Sequence, residues 1–118
     1  MLTTLIEAEV YKNSNHIMGL FSFKSSFEIT VSHPKEEAYK RFHDYVTKKS
    51  SLSISECKIY DMLNFTKGMS LLSAPIDFEI IFKELDKNNT KLSVKSESGT
   101  IDFGKAKGII NDIVSEIY

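Results

Sequence analysis

The chain of 118 residues has one cysteine, two prolines, five glycines, no tryptophan and almost no net charge, with 15 basic against 16 acidic side chains. Each scarcity removes a class of protein. A single thiol, Cys57, cannot close an internal disulfide, and a structural zinc site would need several Cys or His at close spacing. A formal charge of -1 offers no broad basic field, so counterion release, which supplies most sequence-independent nucleic-acid affinity, has little to act on. No nucleic acid is expected as a partner. No run of about 18 apolar residues occurs, so no membrane span is expected. The start of the chain lacks a basic n-region and reaches Glu7 before any long apolar stretch, unlike a secretion signal. A cytoplasmic location follows as the expectation. There is no internal repeat and no linker-like Pro/Gly stretch, and 118 residues make about one domain.

What is present is pattern. Ile76, Phe78, Ile80 and Phe82 alternate with Asp77, Glu79, Ile81 and Lys83, and strict alternation places one apolar side of a strand on a core. The turn-rich Asp86-Lys87-Asn88-Asn89 then leads to a second alternating run from Lys91 to Ser98, which predicts a hairpin. Upstream, Phe27, Ile29 and Val31 alternate with Glu28 and Thr30 as a short strand, closed by Ser32-His33-Pro34. Pro tolerates the first helical turn and Ser can cap it, so a helix is expected over 35–48, with Ala38, Phe42, Tyr45 and Val46 on one face. Leu52 to Tyr60 and Met62 to Leu72 read as two further strands, bent at Gly68, although alternation there is imperfect. A last helix begins near Asp102, whose carboxylate suits an N-cap, and carries Ala106, Ile109, Ile110, Ile113, Val114 and Ile117 as its apolar stripe. Gly104 and Gly108 share a face of it and predict a packing notch.

Residues 1–24 stand apart as an amino-terminal extension before a single α+β domain over 25–118. Ile17 to Phe23 is apolar and fits an extra edge strand, a segment laid across a groove, or an extension with no fixed place. Met18 is a candidate alternative start; a myristoylated chain beginning there would need Ser or Thr where Phe23 stands.

The element order is therefore β-α-β-β-β-β-α: an antiparallel sheet of about five strands with two helices on one face. Gly68-Met69-Ser70-Leu71-Leu72-Ser73, the strand Ile76 to Phe82, the strand Lys91 to Ser98 and Asp102-Phe103-Gly104-Lys105 together resemble small bacterial domains of unassigned function with a TBP-like or helix-grip (START-like) arrangement. Members often show S-L-x-S-W-G at a strand start and W-G-K-N at a helix start. This chain keeps Ser70-Leu71-Leu72-Ser73 and Gly104-Lys105, but has Ala74-Pro75 for W-G, Phe103 for Trp and Ala106 for Asn. The resemblance covers about residues 26–118 and implies a fold without importing a function, because that scaffold hosts carriers, hydrolases, cyclases and binding modules alike.

Candidate chemistry is sparse. His33 and His43 are ten residues apart on or beside one helix, about 15 Å, which argues against a shared metal; no metal and no cofactor are expected. His43 and Asp44 are sequence neighbours that point to different parts of a helix surface. Cys57, mid-strand, reads as a quiet, partly buried thiol. Asp77 and Glu79 share the outward face of a strand, which a solvated sheet surface explains. No catalytic residue is assigned. The aromatic and aliphatic side chains between sheet and last helix either fill the core or line a groove there. For a groove, the ligand-binding set is Phe42, Tyr45, Phe78, Ile80, Phe103, Ile110 and Ile113. The leading expectation is a non-catalytic binding domain for a small apolar ligand or a protein partner. The alternatives are a homodimer through residues 1–24 and, last, a small hydrolase or cyclase using His43, Asp44 or Glu36, which requires an inward-facing His43.

Overall fold

The computed structural model describes residues 23–69, 74–99 and 104–118. The expectations for Met18, for Ser70 to Ser73, for Phe103 and for an Asp102 cap lie outside the described residues, as do positions 1–22 of the segment 1–24 expected to form a dimer. The described residues form five strands: β1 (Phe23–Val31), β2 (Leu52–Lys58), β3 (Met62–Lys67), β4 (Ile76–Asp86) and β5 (Asn89–Ser98). Two helices accompany them: α1 (Lys35–Lys48) after β1, and α2 (Lys105–Ile117) after β5. The sheet is antiparallel throughout in the order β1-β5-β4-β3-β2. β1 and β2 are thus the two edges, and α1 carries the chain from one to the other. Its 14 residues span about 21 Å, close to the ~19 Å of four strand spacings.

Alternation places one side chain of each pair inward. Thr90, Leu92, Val94, Ser96 and Ser98 of β5, Ile76, Phe78, Ile80 and Phe82 of β4, and Leu63 and Phe65 of β3 are buried on one face. Both helices cover that face. Phe42 of α1 lies 5.8 Å from Phe65 and 6.2 Å from Phe82 between ring centroids, and Ala106, Ile110 and Ile113 of α2 join the same core. Phe65 and Phe78 stack at 4.9 Å across β3 and β4. Burying rings this fully contributes about 1.5–3 kcal/mol per side chain from area alone. Asp77, Ile81, Lys83 and Lys95 are exposed on the opposite face, with Glu79 half-buried there.

Several local expectations change. β1 starts at Phe23, four residues before Phe27, because Phe23 and Ser25 continue the inward alternation; Ser25 Oγ lies 2.7 Å from Ser96 Oγ. α1 takes Pro34 as its N-cap with no side-chain cap hydrogen bond, so Ser32 does not cap it. Glu36 and Glu37 instead place negative charge at the first turn. β2 ends at Lys58, and a bulge between Ile54 and Glu56 shifts its register. That bulge is why period two fails there. α2 starts at Lys105 behind Gly104, whose φ of 81° is a left-handed conformation that glycine adopts without strain. The packing notch is absent among the described residues: a Cβ on Gly104 or Gly108 would meet nothing within 4 Å. The β2–β3 turn holds Tyr60 at φ 69°, an outlier for a bulky side chain. Tyr60 is retained there by its edge-on packing against Tyr39 at 5.7 Å and by Lys40 over its ring.

Candidate functional site

At the end of the sheet where Leu52, Lys67, Ile76, Ser98 and Phe23 pair across all five strands, the helices leave an opening. α2 arrives at the opposite end, where Arg41 donates to the Ile117 carbonyl and the Tyr118 hydroxyl donates to the Ala38 carbonyl. The opening is a cleft of about 230 Å³ lined by Tyr45 of α1, Lys49 just past its end, Ser51 and Leu52, Lys67 of β3, and Ile109, Asp112 and Ile113 of α2. Helical spacing assembles it. Ile109, Asp112 and Ile113 are spaced i, i+3 and i+4, so they present one side of α2, while Tyr45 comes from the last turns of α1 and Lys49 is the extended residue that ends it. Backbone bonds fix the floor: Leu52 N–H donates to Lys49 O at 3.1 Å and Gly68 N–H to Ser51 O at 3.0 Å.

The cleft has an apolar body and a charged rim. Leu52, Ile109 and Ile113 supply the apolar part. Lys49 Nζ stands 5.0 Å over the Tyr45 ring, and the Tyr45 hydroxyl donates to Glu116 Oε1 at 3.2 Å. Lys67 makes no ion pair among the described residues, and it lines the cleft together with Lys49 and Asp112.

Of the side chains singled out from sequence, Tyr45 and Ile113 line the cleft. Phe42, Phe78, Ile80 and Ile110 are packed in the core behind it, each at most 2% exposed; Phe103 lies outside the described residues. Lys49, Ser51, Leu52, Lys67, Ile109 and Asp112 were not anticipated as lining residues. Ile109 was legible as part of the helix stripe, whereas no local pattern announces that the ends of β2 and β3 meet the last turn of α1.

Other clusters differ in kind. His43 is on the flank of α1, its ring stacked 5.8 Å from Tyr39, with Nδ1 3.6 Å from Asp44 Oδ1 and about a third of its side chain exposed. It does not enter the cleft, so the inward histidine that a hydrolase reading requires is not found. His33 sits against Tyr118 at 5.2 Å and 3.7 Å from Glu37 Oε2, and Glu37 also pairs with Arg41 at 2.7 Å. Among the described residues no three His, Cys, Asp or Glu side chains gather as a metal site, and no helix is long and apolar enough to cross a membrane. Cys57 is exposed rather than partly buried, because β2 is an edge strand. A wider depression of about 480 Å³ lies on the uncovered sheet face, lined by Lys24, Asn64, Thr66, Asp77, Glu79, Lys95 and Glu97 among others. Polar and charged side chains make up most of its wall, with Phe65 and Phe78 also part of its lining.

Five strands wrapped on a carboxy-terminal helix, with the cleft at one end, is the helix-grip arrangement. The fold has solved counterparts. CalU16 from Micromonospora echinospora superimposes with a TM-score of 0.62 at 10% identity, over 82% of this chain and 76% of that one. Ara h 8.0201 superimposes with a TM-score of 0.51 at 14% identity, over 81% and 97%. At such identities the likeness is one of fold. No known protein family and no curated protein matches the chain by sequence.

Proposed function

We propose that this domain binds a small amphipathic molecule, with a short apolar body against Leu52, Ile109 and Ile113 and an anionic head near Lys49 and Lys67. The observation that carries this reading is the pairing, at one end of the helix-sheet interface, of an apolar cleft with the Lys67 ammonium, which has no ion-pair partner among the described residues. Size narrows the ligand. At about 230 Å³ the cleft falls below the ~300–1,000 Å³ typical of drug-sized ligands, and the rings of Phe42, Phe65 and Phe78 fill the space behind it. The ligand is therefore a short-chain carboxylate-like amphiphile or the end of a longer one. Binding without turnover is favoured because the lining set has one carboxylate, Asp112, and no histidine or cysteine beside it.

Titration with straight-chain carboxylates from butyrate to decanoate, followed by amide and methyl NMR shifts, tests this. Saturable shifts at Leu52, Ile109 and Ile113, with Phe27 and Cys57 unmoved, are expected. Lys67→Glu should weaken binding about tenfold, the loss of one charge-assisted contact. No saturable shift with any chain length, or the same shifts in Ile113→Trp, overturns the reading.

A further inference from the structure

Cys57 is exposed, yet it belongs to the inward row of β2. The bulge at Ser55 sets it opposite Leu63, a fully buried side chain. Tyr39 of α1 packs on Tyr60, three residues along, and its hydroxyl faces the Cys57 thiol; Tyr39 is only 4% exposed and its hydroxyl is buried without a hydrogen-bond partner of ordinary geometry. The ring itself is well held: Tyr60 and Phe82 meet it edge-on at 5.7 and 5.3 Å, and His43 stacks on it at 5.8 Å. Burial first, and the Cys57 thiol second, push its pKa up to about 12. The phenol therefore remains a proton donor at neutral pH, and the group it faces is a sulfur, a weak acceptor. A buried donor without an acceptor is uncommon in a packed protein and asks what would complete it.

We propose that Cys57 is a site of reversible oxidation by hydroperoxides, and that the oxygen added to its sulfur accepts the hydrogen bond that Tyr39 lacks. In this step the Cys57 thiolate attacks one oxygen of the peroxide. An S–O bond forms and the O–O bond breaks; the sulfur is oxidised to a sulfenic acid, and the leaving hydroxide or alkoxide takes the proton that the thiol gave up, so that hydrogen peroxide is reduced to water and an organic hydroperoxide to its alcohol. The chain has no second cysteine to convert the product into an internal disulfide, so the lifetime of the sulfenic acid depends on its surroundings. Tyr39 donates to it from the apolar side, between Tyr60 and Phe82. This site is separate from the cleft, and carboxylate binding neither supports nor opposes it.

The test treats the full chain with hydrogen peroxide, traps sulfenic acid with dimedone after a timed delay, and maps the adduct by mass spectrometry, with Cys57→Ser subtracting methionine oxidation. A dimedone adduct at Cys57 is expected, with a sulfenic acid lifetime about tenfold shorter in Tyr39→Phe, the loss of one buried hydrogen bond. Absence of the adduct, an equal lifetime in Tyr39→Phe, or a covalent dimer as the main product overturns the proposal. Tyr39→Phe should fold, since it removes only an unpartnered hydroxyl. Should it not, the near-ultraviolet tyrosine signal of the wild-type protein decides: a peroxide-induced change missing in Cys57→Ser supports the proposal, and no change overturns it.

Discussion

The two ends of this sheet are built from one core and treated differently. At the end of Val31 and Thr90, polar bonds tie every layer to the next. Thr90 Oγ1 donates to the His33 carbonyl at 2.8 Å, Lys35 pairs with Asp61 at 2.6 Å, Phe82 N–H donates to Asp61 O at 2.8 Å, and Arg41 and Tyr118 fasten α2 to α1. At the end of Leu52 and Lys67 the cleft stands between the same two helices. The lesson is that a small domain can spend its cross-links at one end and leave an opening at the other. Openings tend to draw on the parts of a fold with the fewest tertiary contacts.

Mutations can break that contrast, beginning with the tied end. Phe82→Ala removes a ring packed on both Tyr39 and Phe42 and should cost about 3–5 kcal/mol, the usual penalty for emptying a buried aromatic site; urea unfolding measures it, and a loss below that of a surface change would show that the end is not tightly packed. Thr90→Val keeps the shape but strands the His33 carbonyl, for an expected ~1–3 kcal/mol, read from the shift in urea midpoint. Alkali should act next. Burial raises the pKa of both Tyr39 and Tyr118 above the ordinary tyrosine value. Their contribution is complete below about pH 10 and is lost as pH rises from there toward the folded-state values, because the unfolded chain releases those protons first. The fall in urea midpoint between about pH 9 and 11 should therefore be shallower in Tyr118→Phe; equal slopes would remove Tyr118 as a cause. The smallest stability effect belongs to the open end. Ile109→Trp should fill the cleft, change unfolding free energy by no more than about 0.5 kcal/mol, and abolish carboxylate shifts in NMR.

The same contrast explains what could be read from the sequence. Strand β4 was legible because Ile76, Phe78, Ile80 and Phe82 obey a strict period of two, and α1 because Ala38, Phe42, Tyr45 and Val46 obey a helical one. Both follow from a single face being buried. Regularity breaks where the backbone does something local. The bulge at Ser55 moves the inward row from Ile54 to Cys57, so parity counted along β2 misassigns every later residue. The two-residue turn at Lys87 and Asn88 has no positive φ, unlike the primed hairpin turns, and Leu85 bulges out beside it. The cleft was only partly legible, for a related reason. It is formed where three segment ends meet, and Lys49, Ser51 and Lys67 carry no periodic signal of their own. The apolar residues at regular spacing, Phe42 and Phe78 among them, are the ones that the core consumes.

The course of α1 has a mechanical consequence. Because this helix leaves from one margin of the sheet and lands at the other, it acts as a diagonal brace: pulling β1 and β2 apart should shear Phe42 across Phe65 and Phe82. Resistance to stretching should therefore rest on these three aromatic rings as well as on the ladder of backbone bonds, and it should be the same whether or not the cleft is filled.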